Sequence, residues 1–136
     1  MPPESGAAPA HATWLRHARS NLARAKAGRV VPDILHGDCC FDAQQAAEKA
    51  VKAVLIAWGV DFPKTHAIAR LLDIAGQAGI AVPADVRESA ALTAYATDAR
   101  YPGAAEDIDD DEYRDAIRLA EQVVRWAEAA VGPGKV

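Results

Sequence analysis

Apolar residues recur at intervals of three and four along most of the chain, which is the spacing of one face of an α-helix. The clearest apolar stripe lies in the stretch 41–59. Its members are Ala43, Ala46, Ala47, Ala50, Val51, Val54, Leu55 and Trp58. The polar residues of the same stretch lie off that stripe: Gln44, Gln45, Glu48, Lys49 and Lys52. The pattern predicts an amphipathic helix whose alanine-rich face is buried.

Local signals place the boundaries of the first three helices. The first is expected from about Thr13 to Gly28, a glycine suited to a helix C-cap. The second should begin at Asp42, capped together with Gln45, and end near Gly59. Thr65 has the residue type and position of an N-cap for the third helix.

Two more helices complete the predicted fold. Pro83 suits the start of a fourth helix, which Pro102 and Gly103 would end. The acidic run Asp109–Glu112 favours the start of a fifth helix, because negative charge is stabilised at a helix N-terminus. No strand is predicted. The sequence therefore predicts an all-α, up-and-down bundle of four or five helices.

The length of 136 residues suits one domain. The Pro, Ala, Gly and Ser content of residues 1–10 predicts a disordered N-terminal tail, residues 11–132 form the expected bundle, and residues 133–136 should be a flexible C-terminus. No secretory signal or membrane span is recognisable. Cys39 and Cys40 are adjacent and provide neither a disulfide framework nor metal-ligand spacing. We expect a cytoplasmic protein with no metal, cofactor or membrane association.

The net charge of −4 argues against a surface built wholly for nucleic acid but leaves room for a basic strip. Between Ser5 and Pro32 there is no acidic residue, whereas five cationic ones occur: Arg16, Arg19, Arg24, Lys26 and Arg29. Between Glu106 and Glu112 nearly every residue is acidic. The simplest interpretation is that each region is a solvated helix face or helix start, and the two could face each other in the bundle or across a dimer.

Three short strings occur in a fixed order along the chain. Ala47–Ala53 reads Ala-Glu-Lys-Ala-Val-Lys-Ala, Pro63–His66 reads Pro-Lys-Thr-His before the pair Leu71–Leu72, and Ala99–Pro102 reads Ala-Arg-Tyr-Pro. In these strings and their order, the chain resembles the HEPN domains over roughly residues 13–130. The resemblance implies a helical bundle that forms homo-oligomers, in the simplest case dimers, and that binds nucleotide or RNA.

Bacterial HEPN proteins are frequently paired with a small nucleotidyltransferase, as ribonuclease toxins or as non-catalytic partners. The active branch carries an Arg, four to six residues and then a His on a late helix. Here no histidine follows Arg100. Arg29 and His36 have six residues between them, but Pro32 interrupts that loop, so this match is interpreted as coincidental.

A metal-independent ribonuclease needs a base for the 2′-hydroxyl and a cation for the charged phosphorane. His66 and Arg100 are the candidate catalytic pair. Structural interpretations are favoured for both: a hydrogen-bonded His66 at the start of the third helix, and an Arg100 salt bridge with Tyr101 packed at the bundle end.

For ligand binding the candidates are Lys49, Lys52, His66, Arg100 and Tyr101, with the two lysines as phosphate contacts. Glu48 offers another explanation, because it precedes Lys52 by four residues and favours a helix ion pair.

The tryptophans also allow two interpretations, base stacking or core packing. Trp14 and Trp58 lie on predicted core stripes, whereas Trp126 lies on a second flank that could form a dimer seam. The sequence thus predicts a HEPN-like module that binds nucleotide or RNA and a nucleotidyltransferase, without catalysis of its own. The alternative is a metal-independent ribonuclease toxin of a toxin-antitoxin pair.

Overall fold

The computed structural model describes residues 9–96 and 108–131, and every regular element in those ranges is helical. The elements are α1 (Ala10–Ala27), α2 (His36–Ala57), α3 (Ile68–Gln77), α4 (Ala84–Arg87), a 3₁₀ helix (Glu88–Ala96) and α5 (Asp110–Ala130). The predicted all-α bundle is confirmed. The predictions for residues 1–8 and 133–136 and for Arg100 and Tyr101 concern positions outside the described residues, whereas Ala10, at the end of the predicted tail, begins α1. None of the described helices is both long enough and apolar enough to cross a membrane.

Helix α2 is the centre of the bundle and contacts α1, α3, the 3₁₀ helix and α5. Alanines dominate its seam with α1, and these are completely buried: Ala18, Ala25, Ala43, Ala46, Ala47 and Ala50. Larger side chains from α2, α3 and α5 fill the rest of the core, among them Leu55, Leu71 and Val123. Because alanine side chains are short, the backbones of α1 and α2 can approach closely.

The N-terminus of α2 differs from the predicted one. The helix begins at His36 after Leu35, which gives no side-chain cap, so the predicted cap at Asp42 is wrong. Asp42 is buried inside the helix, where its Oδ1 accepts a hydrogen bond from Asn21 Nδ2 at 2.9 Å. Arg24 lies 3.5 Å from the other oxygen. A tertiary partner on α1 therefore takes the carboxylate that the sequence pattern assigned to the cap.

The predicted start of α3 is also wrong, by a few residues. Thr65 Oγ1 accepts from the Ala67 backbone N–H at 3.0 Å, in a turn that precedes the helix. The cap-like contact comes from the 3₁₀ helix, where Thr93 Oγ1 accepts from the Ile68 N–H at 3.1 Å.

The fourth segment begins after Pro83 as predicted, but it is α-helical for only four residues. It continues as a 3₁₀ helix, and buried side chains recur at every third position across the two parts: Val86 in α4, then Ser89 and Leu92 in the 3₁₀ helix. A spacing of three matches the 3₁₀ period. The prediction of one continuous α-helix was wrong here because the apolar positions of this segment were interpreted with the α-helical period.

Helix α5 begins as predicted. Its N-cap is Asp109, whose Oδ1 accepts from the Glu112 N–H at 2.8 Å, and three acids occupy the first turn. The other termini of α1 and α2 also fit: Gly28 is the C-cap of α1, and α2 ends two residues before Gly59. Helix α1 begins earlier than predicted, at Ala10.

The three tryptophans have different environments. Trp14 is half-buried against the core, as its stripe predicts, whereas the expectation that Trp58 lies in the core is wrong, since 42% of it is exposed. Trp126 is half-buried, and its Nε1 donates to the Ala81 carbonyl at 2.9 Å. Its indole N–H is therefore used within the chain.

Candidate functional site

The polar side chains that flank the stripe of α2 are largely buried. Gln44, Glu48 and Lys52 are 0%, 4% and 8% exposed. The sequence placed them on a solvated flank, but the neighbouring α1 and the α2–α3 turn cover that flank as well. A fully buried polar residue requires hydrogen-bond partners, and each of these three has them.

Glu48 is the centre of a cluster of polar side chains, which we call the Glu48 cluster. Its carboxylate accepts hydrogen bonds from Lys52 Nζ at 2.8 Å, from Gln44 Nε2 at 2.7 Å and from His66 Nδ1, 3.0 Å from Oε1. Burial acts to raise the pKa of Glu48, but these hydrogen bonds and the Lys52 charge outweigh it and bring the pKa below its ordinary value. Glu48 is therefore a carboxylate at neutral pH.

Lys52 is held by this cluster and by two aromatic rings. Its Nζ lies 5.8 Å from the ring centroid of Trp14 and 5.9 Å from that of Phe62, within the range of cation–π attraction. The predicted helix pair of Glu48 and Lys52 is present at 2.8 Å. The ammonium group thus occupies a buried ion pair instead of the solvent-facing position that a phosphate contact requires.

His66 joins the cluster from the turn before α3 and keeps most of its surface in solvent, with 68% of the side chain exposed. Because the Glu48 carboxylate can only accept, His66 Nδ1 carries the proton in that contact. A neutral imidazole held in this way leaves Nε2 unprotonated, which is the form of a general base oriented by a carboxylate.

A second chain of contacts joins α1 to α2 beside the first. Asn21 donates to Asp42 and accepts at its Oδ1 from Lys49 Nζ, 2.8 Å away. Arg24 completes this chain at Asp42. Lys49 is therefore positioned by a buried amide and a buried carboxylate, and it remains partly exposed.

An open pocket lies where the two networks meet. It has a volume of about 220 Å³ and is lined by Thr13, Trp14, His17 and Lys49. Trp14 contacts Lys52 of the Glu48 cluster, whereas Lys49 ends the chain that starts at Asp42. Among the described residues, none that lines this pocket is acidic.

Most of the basic strip on α1 is neutralised. Arg19 Nε lies 2.6 Å from Glu128 and Lys26 Nζ lies 2.8 Å from Glu121, both on α5. The sequence suggested that α1 could face the acidic run before and at the start of α5; Glu106 and Asp107 lie outside the described residues, and the partners found here come from later turns of the helix. The strip is thus mainly a structural contact between α1 and α5.

Arg29 and His36 have separate contacts and do not form a common site. Arg29 donates to the backbone carbonyls of Ile34 and Pro32. His36 stacks on Tyr113 at a centroid distance of 5.1 Å, and its Nδ1 lies 3.0 Å from the Ile108 carbonyl. Both side chains stabilise the loop and helix ends around them.

The two cysteines are free and buried. Burial is the main cause that raises the pKa of both thiols, and it brings that of Cys40 to about 12. Neither is a thiolate at neutral pH, so neither is prepared for nucleophilic or metal chemistry. Within the described ranges, no three potential ligands among His, Cys, Asp and Glu are grouped to hold a metal ion.

Sequence reasoning missed Asn21, Phe62 and His17, and only Asn21 carried a signal. Asn21 occupies a position between Ala18 and Ala25 on the buried face of α1, where a polar residue predicts a buried hydrogen bond. Phe62 and His17 gave no comparable signal, because the contact of Phe62 with Lys52 and the pocket that His17 lines each join two different elements.

The fold and these networks define a small all-α bundle with a polar site between its first two helices. The family model of the HEPN domain matches residues 11–130. The chain therefore belongs to the HEPN domain family.

Two solved structures resemble the whole bundle. TT1696 from Thermus thermophilus is 32% identical, with a TM-score of 0.79, and the alignment covers 90% of this chain and 99% of that one. ST0689, described as an archaeal HEPN homologue, is 26% identical, with a TM-score of 0.73, and the alignment covers 90% and 98% of the two chains. No protein of curated function gives a significant match.

Proposed function

We propose that this chain is a HEPN module that binds nucleotide or RNA and a protein partner, a small nucleotidyltransferase, without catalysis of its own. The observation that carries the proposal is the burial of Lys52 against Glu48. This cation of the Glu48 cluster is neutralised and covered, so it is not placed to stabilise a phosphorane. Lys49 instead remains partly exposed at an open pocket, where it can contact a phosphate.

The proposed ligand surface consists of Lys49, His66, Arg100 and Tyr101. His66 is exposed beside the Glu48 cluster. Arg100 and Tyr101 lie outside the described residues and enter on the resemblance of their string to the family pattern. Lys52 contributes indirectly, because it holds the Trp14 ring and the Glu48 carboxylate.

One observation favours the alternative, a metal-independent ribonuclease. Glu48 holds Nδ1 of the largely exposed His66 side chain, which leaves Nε2 to accept a proton. The required cation would then be Arg100. Both proposals share the same exposed imidazole and differ in whether RNA is cleaved.

The decisive experiment incubates the purified, metal-free chain with single-stranded and structured RNA, beside His66→Ala and Arg100→Ala. Arg125→Ala is the matched control, because this exposed arginine of α5 lies outside the proposed surface. The proposal expects intact RNA in every sample and a higher melting temperature with RNA. Cleavage by the wild type that is lost in both test variants, and kept in the control, would establish the ribonuclease instead.

Expression in a bacterial host separates the two functions independently. A ribonuclease toxin should stop growth when expressed alone, whereas a binding module should leave growth unchanged. Co-expression with a small nucleotidyltransferase from the source genome, followed by size-exclusion chromatography, tests the partner. Separate elution of the two proteins would remove the partner from the proposal.

A homodimer is also part of the proposal, on the basis of family membership. Light scattering of the wild type and of Trp126→Ala measures it. A monomeric wild type would end the homodimer proposal, and an unchanged dimer mass in the variant would exclude Trp126 from the seam.

A further inference from the structure

The pocket lined by Thr13, Trp14, His17 and Lys49 combines features that nucleotide recognition needs. Its volume of about 220 Å³ is below the roughly 300–1,000 Å³ of typical small-molecule sites, so it suits one flat unit of a larger ligand. The Trp14 side chain offers a ring on which a base can stack, and every nucleobase has a π-face.

The cationic group of the pocket, Lys49 Nζ, is preorganised by contacts within the protein. Lys49 Nζ is fixed by Asn21, which Asp42 holds in turn. An ammonium group has three donors, and within the described residues Asn21 takes one of them. The remaining donors are available to a ligand, so little side-chain entropy would be lost on binding.

His17 adds a second polar group on the same rim. It is exposed and has no ion-pair partner in the part of the chain that the structure describes. Helix α1 contains no acidic residue from Ala10 to Ala27. An anion that approaches from this side therefore meets Lys49 without a competing carboxylate of α1.

The Trp14 ring is positioned by the Glu48 cluster. Lys52 Nζ lies 5.8 Å from its centroid and is itself held by Glu48 at 2.8 Å. The two networks thus fix the two walls of one pocket, one the aromatic wall and the other the cationic wall.

We infer that this pocket binds a single nucleotide unit, with the base against Trp14 and the phosphate on Lys49 and His17. The inference rests on the proposed binding function and assigns it a place. The same chemistry can come from a free mononucleotide or from one unit of single-stranded RNA.

Trp14 itself reports on the pocket. The sequence has three tryptophans, so a chain carrying Trp58→Phe and Trp126→Phe retains Trp14 alone. Adenosine monophosphate and a short single-stranded oligoadenylate are titrated into this chain, and Trp14 fluorescence is followed. Quenching by both probes at similar concentration indicates a mononucleotide site, whereas quenching by the oligoadenylate alone indicates a site for one unit of RNA.

Charge variants in the same background test the phosphate contact. Lys49→Gln keeps an amide donor for Asn21 but removes the charge, and we expect the Kd to rise about fivefold or more, with a weaker salt dependence. His17→Gln, a substitution at an exposed position, should also raise the Kd. The matched control is Lys64→Gln, which removes one exposed lysine outside the pocket and should leave the Kd within about twofold.

The outcomes separate this inference from the function on which it rests. Binding by calorimetry with no Trp14 quenching, and equal affinities for Lys49→Gln and Lys64→Gln, would overturn the pocket and leave the binding function in place. No binding of either probe by the wild type would overturn both. Circular dichroism of each variant checks that it is folded before its affinity is compared.

Discussion

Lys52 Nζ lies 2.8 Å from Glu48 Oε2, one helical turn away, and both side chains are almost completely buried. Removing two charges from water is costly, and their attraction compensates only if the remaining donors and acceptors are also satisfied. His66 and Gln44 complete the carboxylate's contacts. The pair is therefore one unit with its surroundings, and loss of one member is expected to harm the protein more than loss of both.

Substitution of one partner tests this unit. Lys52→Met should lower the free energy of unfolding by about 3–5 kcal/mol, because it leaves Glu48 as a buried charge without its main partner. The double variant Glu48→Gln, Lys52→Met should lose less, since no buried charge remains. Urea denaturation measures both.

Arg114→Met is the control for that series. Arg114 pairs with Asp110 at 2.8 Å with the same spacing of four residues, but on an exposed face, so its loss should cost less than about 1 kcal/mol. An equal cost for Lys52→Met and Arg114→Met would contradict the assignment of a desolvated pair.

Glu48 also predicts how stability depends on pH. Its pKa in the folded protein lies below the ordinary 4.5, so its contribution is fully present above that value and is lost as the pH falls through the lower folded pKa. The stability difference between the wild type and the Glu48→Gln variant should therefore shrink on acidification below about pH 4.5.

The matched carboxylate for the pH series is Glu88, which is exposed and 3.7 Å from Arg118. Glu88→Gln should change stability little at any pH, because solvent screens this contact. A Glu48→Gln difference that stayed constant down to about pH 2 would show that Glu48 does not titrate with a lowered pKa.

A glycine is required at position 28 both by the positive φ of the backbone and by the close approach of Tyr113. Its φ is +67°, and a Cβ there would lie 2.7 Å from Tyr113 Oη, which donates to the Ala25 carbonyl at 2.6 Å. We expect Gly28→Ala to lower the free energy of unfolding by about 2–3 kcal/mol, the sum of backbone strain and a disturbed hydrogen bond.

Gly59→Ala isolates the backbone part of that cost. Gly59 has a φ of +69°, but a Cβ there would meet nothing within 4 Å. Gly59→Ala should therefore lower the free energy of unfolding by about 1 kcal/mol. Thermal unfolding of the two variants should therefore rank Gly28→Ala as the less stable, and the reverse order would refute the contact with Tyr113.

Cys39 and Cys40 should resist alkylation in the folded protein. Burial limits access to both thiols and raises their pKa, that of Cys40 to about 12, so little thiolate exists at about pH 8. Mass spectrometry after iodoacetamide treatment should show labelling only once denaturant is added. Rapid modification of the native protein would mean that the start of α2 opens readily.

The helical fold could be predicted because most of its core is periodic. The stripe Ala43–Leu55, the glycine after α1 and the acid-rich start of α5 are local signals, and each is confirmed. The start of α2 could not be predicted, since the partner that diverts Asp42 from capping is Asn21, on another helix. Local chemistry allowed Asp42 either to cap a helix or to lie within one, and the tertiary contact with Asn21 selects the second.

The candidate site could likewise be predicted only where local sequence signals determine it. The pairing of Glu48 with Lys52 was predictable from their spacing of four residues. The burial of that pair was not, because it depends on Trp14 and Phe62, which arrive from α1 and from the α2–α3 turn. From the sequence alone, Lys52 lies off the apolar stripe and would be expected to face solvent.

Both polar networks and the pocket are formed within one continuous stretch, from Thr13 to His66. This locality has a kinetic consequence. Contacts between residues close along the chain form with a smaller loop-closure cost, so they tend to precede long-range ones during folding. The pocket is therefore expected to form when α1 pairs with α2 and the following turn, before α5 packs against them to complete the bundle.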